Sequence, residues 1–354
     1  MGSAFALLLL VIGLALAFDY INGFHDTANA VATVVSTNVL PGRTAVLLAA
    51  VLNFLGAFTG VGVAKTIGEG IARPADITQT VVCATLIGAI TWNLFTWYYG
   101  IPSSSSHALI GGIVGAAWAH AVLDGVAAWD AAEGLATSSG VRIAVKALFL
   151  SPIFGMLGGF LLMILLLWIV RKRKPESVNR AFRSLQLVSA SFMAFAHGSN
   201  DAQKSMGVIA MALATYATGQ EIIDPDAQLH VPNWVIVSCA LAMALGTASG
   251  GWRIMKTMGH KIIRLRPIHG FAAETAAATV ILTASALKAP VSTTHVIAAS
   301  IMGVGASRRV SAVRWGVARS ILTAWVLTIP ISALIAAGVY WFLHVVVRLD
   351  VLTR

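Results

Sequence analysis

Long apolar runs with almost no charge recur from one end of this chain to the other, and no other feature restricts its fold so strongly. The runs lie near 3–37, 44–68, 78–100, 103–119, 141–170, 184–216, 233–252, 270–289, 291–305 and 318–347. A helix needs about 20 residues to cross the hydrocarbon layer, and a crossing must satisfy its own backbone groups. The sequence therefore reads as an all-α polytopic membrane protein with about 10–12 membrane segments. Composition agrees. Of 354 residues, 58% are hydrophobic and 11% charged, with a mean hydropathy of +0.83, whereas a soluble domain is about 25% charged. That excludes a soluble enzyme, a disordered chain and a disulfide scaffold. Cys83 and Cys239 lie in apolar runs without metal-ligand spacing. Ala15-Leu16-Ala17 looks like a signal cleavage site, but no positive region precedes the apolar run, so residues 3–18 read as an uncleaved first helix.

The net charge of +10 comes from a few loops, which points to membrane topology and not to nucleic acid. Residues 171–183, 253–266 and 308–319 hold more than half of the 24 Lys and Arg and are expected in the cytoplasm. The stretch 119–140 carries Asp124, Asp130 and Glu133 with no Lys or Arg, and 217–232 carries Glu221, Asp224 and Asp226; both are expected outside. Counting crossings between these loops puts both termini outside. Two runs, 3–37 and 184–216, are too long for one straight crossing and contain a polar, Gly-containing centre, which predicts broken helices. Two short runs open at Pro102 and Pro290 and read as half-helices with proline in the first turn.

The sequence also echoes itself. Gly23-Phe24-His25-Asp26-Thr27-Ala28-Asn29 matches Gly198-Ser199-Asn200-Asp201-Ala202-Gln203-Lys204 at an offset of 175. Pro102-Ser103-Ser104-Ser105-Ser106-His107 matches Pro290-Val291-Ser292-Thr293-Thr294-His295 at an offset of 188. Each pair alone is weak, but two pairs in the same order are strong. The chain divides into a first transmembrane repeat at 1–170, a basic cytoplasmic linker at 171–183 and a second repeat at 184–354. An odd number of crossings per repeat inverts one half against the other. In secondary transporters of that design, substrate and coupling ions bind near the midplane.

Ionisable groups inside membrane segments are costly and mark function. Asp26 and Asp201 occupy matching positions and are candidates for cation or proton coupling, with Asn29 and Asn200 as neutral oxygen donors; in a sodium-coupled protein these four would be the metal ligands. The competing reading is a pair of helix caps. Ser103, Ser104, Ser105 and Ser106, with Ser292, Thr293 and Thr294, offer hydroxyl and backbone N–H donors at two helix starts that could face one anion from both sides. Lys204 is a candidate anion ligand or a partner for Asp201, and Gln203 joins the anion set. Glu274 is a candidate coupling carboxylate whose first-repeat counterpart is Leu86; Asn93 is the polar group of that earlier segment. His107 and His295 either titrate with transport or bond their own helix turn. His25 and His197 do not match each other and read as local packing. Asp19 is left between a role in the helix break and a charge-carrying one. Trp92, Trp97, Trp234, Trp252 and Trp341 read as interface anchors.

The four stretches G-F-H-D-T-A-N-A-V-A-T, H-G-S-N-D-A-Q-K, G-I-P-S-S-S-S-H and A-P-V-S-T-T-H resemble the duplicated signatures of the inorganic phosphate transporter (PiT) family, most closely its bacterial low-affinity permeases. The resemblance covers nearly the whole chain. It implies a plasma (inner) membrane symporter importing inorganic phosphate with H⁺ or Na⁺ by alternating access, with external termini, no further cofactor and, by analogy, a homodimer surrounded by lipid. It carries the coupling role to Asp26 and Asp201, the phosphate-binding role to Ser103–Ser106 and Ser292–Thr294, and the second-repeat glutamate to Glu274. Some relatives have an acid where this chain has Leu86, so the cation arrangement departs from full symmetry. A sulfate permease is the alternative, since one branch of the family carries sulfate. An anion channel or an intramembrane hydrolase fits less well, because the Ser clusters lack a G-x-S-x-G elbow and the arrangement is duplicated.

Overall fold

The computed structural model of the protein describes residues 2–70, 77–219 and 229–349. Glu221, Asp224 and Asp226, expected in an external loop, lie outside the described residues. Among those residues there are thirteen α-helices and no strand: α1 (Gly2–Ser36), α2 (Gly42–Gly56), α3 (Gly62–Gly70), α4 (Gln79–Tyr99), α5 (Ser105–Leu123), α6 (Ala128–Thr137), α7 (Ser139–Val170), α8 (Pro175–Gly219), α9 (Asn233–Ser249), α10 (Trp252–Lys256), α11 (Pro267–Ala286), α12 (Thr293–Ala306) and α13 (Trp315–Trp341).

Six of these, α1, α2 (with the turn to Thr59), α4, α5, α7 and α13, are long and apolar enough to span a membrane, and α9 with the segment Trp252–Lys261 makes a seventh, bent by 58°. That is fewer than the expected segments. Two further helices are long enough, α8 with 45 residues and α11 with 20. Their buried polar side chains dilute their hydropathy. The chain is a multi-pass membrane protein, and its outer faces show it: Leu157, Leu161 and Trp168 on α7 and Val326 and Leu334 on α13 are exposed apolar side chains of the kind lipid covers.

The breaks expected inside the two long runs are absent. Both α1 and α8 run unbroken through their polar centres. Gly23 and Gly198 serve close approach instead. A Cβ on Gly23 would collide with the Met243 carbonyl of α9, and one on Gly246 with the Tyr20 carbonyl of α1. Likewise a Cβ on Gly198 would strike the Asn53 carbonyl of α2, and one on Gly56 the Phe195 carbonyl of α8. The backbone keeps its helical bonds, and only the side chains turn polar.

The real interruptions are the α4–α5 and α11–α12 turns. Gly100 ends α4 in the left-handed region (φ 65°), and Lys288 follows α11 with φ 58°. Pro102 and Pro290 do not sit in the first helical turn as expected; each lies two residues before the cap. There they hold the extended entry that proline and its predecessor prefer. Ser104 and Ser292 are the caps, accepting from the His107 and His295 backbone N–H at 3.2 Å each. The basic stretch 171–183 is also mostly helical, since α8 begins at Pro175.

The packing sets α1 against α8 at the centre, with α4 on α1 and α11 on α8. The helix α5, long enough to span and not the half-helix expected after Pro102, packs on α13, and the shorter α12 on α7. Two apolar cores result. One joins the start of α1 to α4, α5, α9 and the later part of α8; the other joins the end of α1 to α2, α11, α12 and the earlier part of α8. Between them lie the polar middles of α1 and α8.

Candidate functional site

The starts of α5 and α12 meet beside that polar belt. The imidazoles of His107 and His295 lie 4.1 Å apart between ring centroids, and His295 stacks on Trp325 at 3.8 Å. Ser106 donates its hydroxyl to the Val291 carbonyl at 3.2 Å, tying one helix start to the other. Lys204 reaches in from α8. Its Nζ donates to the Ser106 hydroxyl, to the Val291 carbonyl at 3.0 Å and to Asp201 Oδ1 at 2.5 Å. From α1, Asn29 Nδ2 donates to Thr294 Oγ1 at 2.9 Å and Thr293 Oγ1 at 3.2 Å, and Thr293 donates onward to Asp201 Oδ2 at 3.1 Å. Trp325 apart, none of these side chains is more than 4% exposed. Two positive helix ends, one ammonium and a cluster of hydroxyls thus converge in a place without bulk water, where such donors act strongly on an anion. The Ser105 hydroxyl, Asn29 Oδ1 and both His107 ring nitrogens are buried there without a hydrogen-bond partner.

Directly beside it, Asp26, His197 and Asp201 each bring one ligand atom within 4.8 Å of the others, the arrangement of a candidate cation site. The two aspartates read from the repeats are therefore brought together. The histidines are the surprise. His25 Nδ1 lies 2.5 Å from Asp26 Oδ1, and His197 Nε2 lies 3.3 Å from Asp201 Oδ2. Read as local packing because they do not match in the repeats, they each pair with one aspartate. The missed signal was local: His25 precedes Asp26, and His197 is one helical turn before Asp201. His25 Nε2 continues to Thr96 at 3.1 Å, and His197 Nδ1 to Asn53 at 3.2 Å. Buried carboxylates need such partners, because burying an unpaired charge outweighs most packing gains.

Several expected ligands point elsewhere. Gln203 turns away from the helix starts: its Oε1 accepts from Val63 N at 2.8 Å and its Nε2 donates to the Ser199 carbonyl at 2.6 Å, so it anchors the start of α3. Asn200 braces the α11–α12 turn: its Nδ2 donates to Ser285 at 2.9 Å and its Oδ1 accepts from Val291 N at 3.4 Å. Ser103 turns back to Thr96 at 2.7 Å. Asn93 is fully buried with neither amide atom partnered. Trp92 is buried and donates to Thr328 at 3.1 Å, a core residue and not an interface anchor.

Glu274 is enclosed separately. Its Oε1 accepts from Thr33 at 2.5 Å and Gln186 at 3.1 Å, and its Oε2 accepts from Ser189. Thr33 lies two turns along α1 from Asp26, about 10 Å by helix rise. Glu274 therefore stands off from the central pair.

A sealed site with donors for an oxyanion on one side and carboxylates for a cation on the other, inside a multi-pass helical bundle, defines a membrane transporter and not an enzyme. Residues 22–336 match the Phosphate transporter family, and the chain belongs to that family. It is 48% identical to the "Probable low-affinity inorganic phosphate transporter" of Bacillus subtilis (strain 168), covering 96% of this chain and 98% of that one. The protein of the same name from Rhizobium meliloti (strain 1021) is also 48% identical, with 96% and 97% covered. That of Mycobacterium tuberculosis (strain ATCC 25618 / H37Rv) is 45% identical, with 96% and 78% covered. A solved structure of a sodium-dependent phosphate transporter shares the fold, with a TM-score of 0.82 at 24% identity over 96% of this chain and 100% of that one.

Proposed function

We propose that the protein is a symporter that imports inorganic phosphate by alternating access, coupled to protons. The observation that carries this reading is the convergence of the capped α5 and α12 starts with Lys204, next to Asp26, His197 and Asp201. Phosphate fits that site better than sulfate. A protonated phosphate oxygen can donate to Asn29 Oδ1 or to a carboxylate, whereas sulfate at neutral pH only accepts. Moving an anion inward against the membrane potential costs roughly 2.3 kcal/mol per charge per 100 mV, so a cation must accompany it. An imidazole lies against each of the two aspartates, and a ring nitrogen is a ready acceptor or donor for a proton shared with a carboxylate, which favours the proton. Sodium is the second reading, supported by the sodium dependence of the structural relative and by the oxygen-rich surroundings of Asp26 and Asp201.

The inverted-repeat reading, with halves at 1–170 and 184–354, draws support from the exchanged packing of α5 on α13 and α12 on α7, and from the matched glycine crossings. Arg264, Arg266, Arg308, Arg309 and Arg314 line one cavity of about 840 Å³, which supports a cytoplasmic placement of those loops.

The test is radiolabelled phosphate uptake into proteoliposomes under an imposed pH gradient or sodium gradient, with sulfate as competitor. Uptake driven by the pH gradient alone is expected. An absolute sodium requirement moves the coupling role to the second reading, and sulfate uptake without phosphate uptake overturns the substrate. Asp26→Asn and Asp201→Asn should each nearly abolish accumulation; wild-type accumulation in both variants would remove the aspartates from the coupling site.

A further inference from the structure

Asp19 precedes Asp26 by two turns of α1, about 10 Å by helix rise, on the side opposite Thr33 and Glu274. It is fully buried. Three other carboxylates are buried among the described residues, and each has close partners: Asp26 with His25, Asp201 with Lys204 and Thr293, Glu274 with three donors. Neither oxygen of Asp19 has a hydrogen-bond partner. Its polar neighbours are Ser205 of α8 and Cys239 of α9. The Ser205 hydroxyl and both amide atoms of Asn22, one turn further along α1, are buried and unpartnered as well.

The packing at this place does not call for polar groups. The residue matching Asp19 at the motif offset of 175 is Ala194, and the one matching Ser205 is Ala30. Setting Gly246 on Gly56, the two glycines that touch Tyr20 and Phe195, sets Cys239 on Ala49. All three alanines are buried. The matching spot is thus filled with methyl groups, whereas this one carries an acid, a hydroxyl and a thiol. A local rule broken without a compensating contact marks a functional position.

We infer that Asp19 is a proton-binding site of the transport cycle, separate from the central pair. Sealed as it is here, with the facing Lys204 already committed to Asp201, the carboxyl is held as the neutral acid, since an uncompensated carboxylate anion in such surroundings is strongly disfavoured. When the α1, α8 and α9 contact opens to water, the O–H bond breaks, the proton passes to water and the carboxylate is solvated. Closing requires a proton to return to the same oxygen. The titratable groups facing it are Asp201 and Lys204 from α8, already paired with each other, and the Cys239 thiol from α9. A metal ion fits the place poorly, because a hard cation wants several oxygens and a thiol suits soft metals. This inference rests on the proton-symport reading and adds a second proton position to it.

The test compares wild type, Asp19→Asn and Asp19→Glu in proteoliposomes, measuring phosphate accumulation against imposed pH gradient and proton entry with an internal pH dye. Loss of one coupled proton should lower accumulation by about tenfold per unit of pH gradient, since each proton contributes one factor of ten. The Asn variant should show that drop and one fewer proton per phosphate, with Glu restoring both. A wild-type proton-to-phosphate ratio in Asp19→Asn overturns the inference. If wild type itself ignores the pH gradient, or Asp19→Asn does not transport, the infrared spectrum of the purified proteins decides. A protonated-carboxyl band at neutral pH that the Asn variant lacks supports the assignment, and identical carboxyl bands overturn it.

Discussion

At the scale of single residues, the candidate site depends on side chains that do two things at once. Ser104 caps α5, so Ser104→Ala should cost about 0.5–2 kcal/mol of helix stability while also removing a donor from the anion site. Thr293 donates to Asp201 and accepts from Asn29. Thr293→Ala removes one bond from each partner, leaving Asn29 with Thr294 and Asp201 with Lys204, and should weaken the phosphate site by about 1–3 kcal/mol. Both variants are expected to raise the KM for phosphate in uptake assays more than they lower kcat; an unchanged KM would take these hydroxyls out of the anion site. Glu274 offers a sharper contrast. Three donors point at its oxygens, so the amide of Glu274→Gln sets a donor against a donor. A shifted pH or sodium dependence of uptake is the expected result, and a lower melting temperature with an unaltered profile would make Glu274 structural.

The elements show why polar residues in an apolar run were misread as helix breaks. A break is needed only where backbone groups lose partners, and in α1 and α8 none do, because the polarity is confined to side chains facing one another. The glycines that looked like break points are contact points. Gly23→Ala and Gly198→Ala each add a methyl group against a neighbouring carbonyl, which should destabilise the α1–α9 or α2–α8 crossing by about 1–3 kcal/mol. Thermal unfolding in detergent should show a lowered midpoint for both, whereas Gly13→Ala, with open space around it, should not move it. The breaks that do occur coincide with Pro102 and Pro290. There the sequence was legible, although the cap fell two residues later than the proline suggested.

For the whole molecule, topology is the property still to be measured. A single cysteine at Ser311, among the arginines, should react with a membrane-impermeant thiol reagent only from the cytoplasmic side. One at Glu133, exposed on α6, should react only from outside. The same side for both would invalidate the charge-based orientation. The asymmetry between the halves also belongs to this scale. Glu274 with Thr33, Gln186 and Ser189 forms a polar pocket, while the positions matching them, Leu86, Val208, Val11 and Leu14, are packed in an apolar core. The Asp19 spot reverses the pattern, polar where its matching spot is lined by alanines.

Sequence alone determined the class, the doubled motifs and the central acids, because hydropathy and repetition are written residue by residue and need no partner to be read. The pairing of Asp26 with Asp201 could be inferred from their matching positions. Tertiary structure decided the rest: that His25 and His197 lie against the two aspartates, that Gln203 and Asn200 bond elsewhere, and that neither oxygen of Asp19 has a hydrogen-bond partner. Which donor meets which acceptor depends on contacts between helices more than a hundred residues apart, such as Asn29 with Thr294. A sequence names the groups that must be satisfied inside a membrane, and only the packed helices fix what satisfies them.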